Sequence, residues 1–340
     1  MTDLYADPFR ERGGSLKRFE YDLLGTRFRF ESGSETLLQI AKDTYQGLPP
    51  QRFRAGPVRP LTLRLLERPP GGGKPSNRRE PPEIDMFSAA GWLAAASVGS
   101  DIVSLSPASR QGVIAVSPRT MASVYHARYE LIEFATFTLA SRCQHLASLH
   151  AGCIGLDGRG VLLLGDSGAG KSTLSLLCLQ RGLEFLSEDS VFVEPPTMRA
   201  TGVANYVHLR PDALSWLPPT LRAALRRSPL IRRRSGARKY ELDLRGGNYR
   251  LAARPLKLIA TVVLSARHEK RTTLQRPPLR SLQRHEMPER LVATQAYAAG
   301  QPGWTAFQRN LAALPSYELR RAMHPMLAVD ALETLLRSQR

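Results

Sequence analysis

Cysteine is scarce in this 340-residue chain: Cys143, Cys153 and Cys178 are the only three, and no two share a C-x-x-C spacing. That excludes a disulfide framework and a cysteine-based zinc site, and it suits a reducing compartment. Long apolar runs are also missing, so no segment has the length of a membrane-spanning helix. The first residues, Met1 to Asp7, lack the basic-then-apolar layout of a secretion signal. Together these absences lead us to expect a cytoplasmic protein with no membrane span. Aromatic residues are few, at 7%, and acids are outnumbered 30 to 48 by lysine and arginine, which leaves a net charge of +18. Such a field attracts phosphates, nucleic acids and acidic proteins alike. Without a recognisable nucleic-acid module or interleaved aromatics, it argues against nucleic acid as the direct partner.

What the chain does contain is organised in two parts. An N-terminal, β-rich module is expected over 1–119. Alternating apolar residues mark strands after Gly25, at Leu61–Leu66, at Ile102–Leu105 and at Val113–Val116, and Glu35–Tyr45 reads as a short helix. The Pro/Gly-rich stretch 69–82 is expected to be a disordered loop, because proline removes donors and glycine raises the ordering cost. A second domain is expected over 120–340. It opens with one long helix from Met121 to His145, followed by an apolar run, the turn Asp157-Gly158-Arg159-Gly160 and the strand Val161–Leu164. Asp-Gly between apolar runs signals a hairpin.

The strand runs directly into Gly165-Asp166-Ser167-Gly168-Ala169-Gly170-Lys171-Ser172, which matches G-x-x-x-x-G-K-[ST] at every required position. Each residue type has a task in holding a nucleoside triphosphate. The glycines let successive amides converge on phosphate oxygens, and the following helix, Ser172–Arg181, presents its positive end to the same charge. Lys171 reaches the β- and γ-phosphates and Ser172 ligates Mg²⁺. The strand–loop–helix context supports the motif.

Next, Leu183–Leu186 reads as a strand, and Ser187-Glu188-Asp189 ends it, 17 and 18 residues beyond Lys171 for the two acids. If that strand lies beside the one entering the glycine loop, both carboxylates stand next to the phosphates. One can hold Mg²⁺ and the other can accept a proton from an attacking hydroxyl. The competing reading is an acidic turn.

From Leu149-His150-Ala151 through the glycine loop, Arg181-Gly182 and Ser187-Glu188-Asp189, the sequence resembles the catalytic domain of HPr serine kinase/phosphorylases. It is most similar to the HPr-kinase-related proteins encoded beside bacterial peptide-modification genes. The resemblance implies an α/β (α+β) fold: a P-loop catalytic domain with a mixed sheet, related to phosphoenolpyruvate carboxykinase. It implies an ATP- and Mg²⁺-dependent kinase that phosphorylates a serine hydroxyl. Carried over, Glu188 stands at the catalytic base, Asp189 at the metal-associated partner, and His150 lines the site. The nucleotide would be held by Gly165 to Ser172 together with Thr173. The family's usual acidic pair is two aspartates, so Glu188 adds a methylene. Thr173 stands where HPr kinases often carry a glutamate. Arg210, in Val207-His208-Leu209-Arg210, lies near the separation of the family's arginine signature and is a candidate for touching phosphate or substrate. A homo-oligomer is compatible with the resemblance.

Two further segments complete the reading. Residues 222–239 carry eight basic side chains and no acid, which fits a mobile, substrate-facing loop attracting an acidic peptide or protein. Leu258–Leu264 reads as a core strand and Leu327–Leu336 as an amphipathic helix. The alternatives kept open are a small-molecule alcohol kinase, a P-loop ATPase, and a module using nucleotide only as a regulatory ligand.

Overall fold

The structure is a computed structural model that describes residues 15–68, 84–97, 101–233, 235–268, 278–321 and 324–338. The stretch expected to be disordered, 69–82, lies outside the described residues, as does Arg234.

The first seven strands form one sheet: β1 (Lys17–Leu23), β2 (Thr26–Ser32), β3 (Leu61–Glu67), β4 (Ile84–Ala89), β5 (Trp92–Ser97), β6 (Ile102–Ser106) and β7 (Gln111–Val116), in the order β1-β2-β3-β7-β6-β5-β4. β2, β3 and β7 pair in parallel, the others antiparallel. Strict alternation in β2 buries Phe28 and Phe30 on one face. The helix Glu35–Tyr45 crosses from β2 to β3. Ser34 caps its start by accepting from the Leu37 amide, and Leu37, Leu38, Ile40 and Ala41 form its buried side.

The second sheet has nine strands. β8 (Ala147–Leu149), β9 (Gly152–Leu156), β10 (Arg159–Leu164), β11 (Glu184–Ser187), β12 (Val191–Glu194) and β13 (Arg199–Gly202) precede a small three-stranded sheet. That small sheet is built from β14 (Tyr206–Leu209), β15 (Leu230–Arg232) and β16 (Arg238–Asp243). The large sheet is completed by β17 (Leu256–His268), β18 (Leu279–Ser281) and β19 (Ser316–Arg321). The molecule is thus mixed α/β with mixed sheets. β17 pairs in parallel with β10 through Lys257–Val263 and with β19 from Thr261 onward. Leu162 to Leu164 are all buried, as expected of a strand covered on both faces. β9 and β10 form the Asp-Gly hairpin, with Asp157 at φ 54° and Gly158 at φ 80°.

Two expectations need correction. The helix through Met121–His145 is broken. A four-residue helix, Pro118–Met121, ends before Ser123, and the run resumes as Val124–His126, a π-helical turn over Ala127–Glu133, then Phe134–Gln144. Apolar periodicity cannot register the extra residue of a π turn, and such turns re-aim side chains. The basic stretch after Arg222 is not a structureless loop either. Leu221 and Leu225 anchor the helix Pro219–Arg227, and β15 and β16 form a hairpin. Arginines dominate its composition, but the i, i+4 leucines decide its fold.

Polar contacts tie the two large sheets together. Gln51 donates from Nε2 to the Ala252 carbonyl (2.8 Å), Asn205 from Nδ2 to the Thr44 carbonyl (3.1 Å), and Gln144 from Nε2 to the Leu24 carbonyl (3.0 Å). One continuous apolar cluster joins Phe28, Tyr45 and Leu63 to Phe185, Val262 and Leu332.

Candidate functional site

The loop after β10 is shaped by its glycines. Gly168 and Gly170 lie at φ 86° and 100°, a region costly for residues with a Cβ. The helix Lys171–Gln180 then begins with no side-chain cap. Its first amides therefore lack the usual partner, on a wall of a cleft of about 740 Å³ lined by Ser167 to Leu174. Of the predicted loop, Gly165 and Asp166 are not among the residues that line this cleft, whereas Ser167 to Ser172 are. Lys171 is only 5% exposed, and its ammonium donates to the carbonyls of Gly165 (2.6 Å) and Asp166 (3.2 Å). Burial holds its pKa below the ordinary lysine value, against the pull of Asp189 and Glu188.

Both acids face this cleft, by a route other than direct strand adjacency. β9 lies between β10 and β11, because the tight hairpin makes β9 the neighbour of β10. Two antiparallel steps leave β10 and β11 running in the same direction, so their C-terminal ends share one edge of the sheet. There the Ser172 hydroxyl donates to Glu188 Oε2. The other oxygen, Oε1, accepts from the His208 amide (2.9 Å) and lies 3.2 Å from His208 Nδ1.

His208 was not singled out by sequence reasoning, and neither were the groups behind it. Its Nε2 lies 2.8 Å from Glu241 Oε2, and Glu241 accepts in turn from Arg128, which the π turn aims inward. Arg128 also neighbours the buried Glu133 (4.0 Å), and Asn205 donates to Glu133 (3.2 Å). A buried chain of alternating charge thus runs from Glu188 into the core. Burial alone would lower the His208 pKa, but its bonds to Glu188 and Glu241 raise it above the ordinary value. Burial likewise works to raise Glu241, and His208 and Arg128 overcome it, holding that carboxyl below its usual range.

Asp189 is engaged by a different set of groups. Its carboxylate lies 3.0 Å from His150 Nδ1, accepts from the Tyr129 hydroxyl (3.1 Å), and pairs with Arg233 (3.4 Å). Burial would raise its pKa, yet the bond from His150 and the charges of Arg233 and Lys239 hold it well below the carboxylate range. Arg233 lies over the Tyr129 ring, 4.2 Å from its centre, in a cation–π contact. The sequence reading placed His150 near the acids. Gln295 locks it there, accepting from the His150 amide (2.7 Å) and donating to its carbonyl (3.0 Å). Arg210 and Thr173 line the same cleft, and Arg210 is exposed with Asp212 at 3.7 Å. Tyr129, His208, Arg233, Lys239, Glu241 and Gln295 are additions from the tertiary structure. A partial signal was available for Arg233 and Lys239, which belong to the basic run.

Among the described residues no group of three or more His, Cys, Asp or Glu side chains is arranged to hold a metal ion. The hard oxygens of Ser172, Glu188 and Asp189 nevertheless suit Mg²⁺, which takes one or two carboxylates and completes its shell with water and phosphate oxygens.

No family model matches the chain, and no curated protein matches it. Among solved structures, the HPr(Ser) kinase/phosphatase from Coxiella burnetii aligns over 56% of this chain and 92% of its own length, at 14% identity and a TM-score of 0.29. A likeness that distant fixes neither fold nor activity, so function has to be argued from the cleft itself. No helix among the described residues is long and apolar enough to cross a membrane.

Proposed function

We propose that this chain is an ATP- and Mg²⁺-dependent kinase of the HPr-kinase type, transferring a γ-phosphate to a hydroxyl, a serine of an acidic peptide or protein. One observation carries the reading: an uncapped helix start with its buried lysine and a pair of carboxylates share one cleft, and Ser172 touches Glu188 across it.

The residues divide the work by their surroundings. The amides of Gly168 to Ser172 and the Lys171 ammonium receive the phosphates. To do so, Lys171 exchanges the Gly165 and Asp166 carbonyls for phosphate oxygens. Ser172 and Asp189 would hold Mg²⁺, which supplies charge neutralisation at the β- and γ-phosphates when bound. A carboxylate held far below its ordinary pKa is a poor proton acceptor, so Asp189 suits an ion-holding role. Glu188 has one oxygen fixed by His208 and the other directed to the cleft. It takes the proton as the acceptor oxygen bonds to the γ-phosphorus and the bond to the β,γ-bridging oxygen breaks, releasing ADP. His208, Glu241 and Arg128 keep Glu188 in one orientation. Arg233 and Lys239 add positive charge where the transferred group and an acidic acceptor meet.

The test is incubation with γ-labelled ATP, Mg²⁺ and serine-containing acidic peptides. Label on the peptide supports the kinase. Label in inorganic phosphate alone points to an ATPase, and tight binding without turnover points to a regulatory module.

A further inference from the structure

Phosphates and acids account for only part of the cleft. Its volume of about 740 Å³ is in the range of sites that enclose a whole cofactor-sized ligand. Beside the glycine loop and the acids, apolar side chains line it, Ala213, Trp216, Leu319, Pro325 and Ala328 among them. Trp216 stands out among them. It is 47% exposed, and it lies nearly perpendicular to His324, at 83° with ring centres 6.0 Å apart, so the two rings do not stack. Most large aromatic side chains of this protein bury far more surface, Phe185, Phe192 and Phe307 completely.

The position of Trp216 is fixed relative to the glycine loop. It closes the short 3₁₀ turn Pro211–Trp216, which is seated by the buried Ala213 and entered from Arg210. The Arg210 guanidinium lies 4.0 Å from where a side chain at Gly168 would begin. The neighbouring wall, from Pro325, starts the helix Pro325–Ser338, which packs through Val329, Leu332 and Leu336. The turn that carries Trp216 and the helix that begins at Pro325 are therefore both anchored in the core, and both line the cleft that the start of the helix Lys171–Gln180 lines.

We propose that Trp216 is the stacking platform for the nucleobase of the triphosphate, with Pro325 and Leu319 completing an apolar slot. The assignment rests on the glycine loop being the phosphate site. An aromatic nucleobase presents a flat π-face and fits a half-exposed indole, which covers it at little entropic expense because the side chain has two torsions. A stacking platform reads the face of the base rather than its edge, so adenine and guanine nucleotides bind with similar strength.

The experiment compares Mg·ATP with Mg·tripolyphosphate, which has the phosphates and no base, by titration calorimetry on the full chain. For Trp216→Ala the expected result is about tenfold weaker ATP binding, with tripolyphosphate unchanged and Trp216→Phe recovering most of the loss. Unchanged ATP affinity overturns the assignment, and so does an equal loss for both ligands, which would mean a structural role. If the parent protein binds neither ligand, the phosphate reading fails and this one with it. If the parent binds both and Lys171→Ala weakens both while Trp216→Ala does nothing, only the base platform fails.

Discussion

Replacing Glu188 by glutamine isolates the proposed chemistry from the architecture around it. The side chain is 3% exposed, and glutamine matches it in volume, so no cavity forms. The amide carbonyl can still accept from the His208 backbone, where Glu188 Oε1 now does so at 2.9 Å. The change removes the charge that supports His208 and the oxygen that would receive a proton. Glu241 remains 2.8 Å from His208 Nε2, so the histidine keeps one carboxylate partner. The stability loss is then expected near 1–2 kcal/mol, that of one weakened charge-assisted hydrogen bond, rather than the ~3–5 kcal/mol of a fully broken buried pair. Loss of a positioned general base lowers turnover by roughly 10²–10⁴-fold, or about 3–5 kcal/mol of barrier. The assay is single-turnover release or transfer of labelled γ-phosphate, with Mg·ATP affinity measured alongside. Affinity should change by no more than about threefold, because the proposed function assigns the phosphates to Lys171 and the loop amides and not to Glu188. Turnover within about threefold of the parent would refute the base assignment. A fall in affinity matching the fall in rate would instead make Glu188 a binding or metal residue.

Other variants probe the remaining parts. Lys171→Met should cost about 10–100-fold in Mg·ATP affinity, the worth of a buried charge-assisted contact, and calorimetry measures it directly. His208 has a raised pKa in the fold. The stability it contributes is therefore full below about pH 6.5, its unfolded value, and fades as pH rises through the higher folded one. Urea midpoints of the parent and His208→Asn should converge with rising pH across that window. Asp189 has a depressed pKa, so its contribution is present above about pH 3.9 and is lost only as pH falls through the lower folded value. Asp189→Asn should thus be destabilised at pH 7, and the gap in melting temperature should close in strong acid. Gly25→Ala places a Cβ 2.1 Å from the Phe53 ring at φ 84°, and should lower stability by about 1–3 kcal/mol in denaturant melts without touching the cleft.

Local elements were legible because their signals are short-range. The Asp157-Gly158 turn and the helix Glu35–Tyr45 both follow from residues within a few positions of one another. The glycine loop was legible for the same reason, since its pattern is one uninterrupted run from Gly165 to Ser172, ending in the first turn of the next helix. The π turn was not, because its effect is an angular offset that leaves the apolar pattern of Leu131 and Ile132 intact. The hairpin of β15 and β16 was obscured by its charge, although Leu221 and Leu225 stand at i, i+4 in the helix before it.

The amino-acid order by itself determined a strand, a glycine-rich turn, a lysine and a helix in uninterrupted succession, and an acidic pair at the end of the next strand. These are contacts of low sequence separation, set by backbone preference and periodicity. Only the tertiary structure decided what the acids touch. Glu188 meets His208 across 20 residues, His208 meets Glu241 across 33, and Glu241 meets Arg128 across 113, while Asp189 meets Tyr129 and Arg233 across 60 and 44. Such pairings depend on sheet order and on which side chains the core can afford to bury charged. No local pattern encodes that choice, because the partners become neighbours only when the sheets close over them.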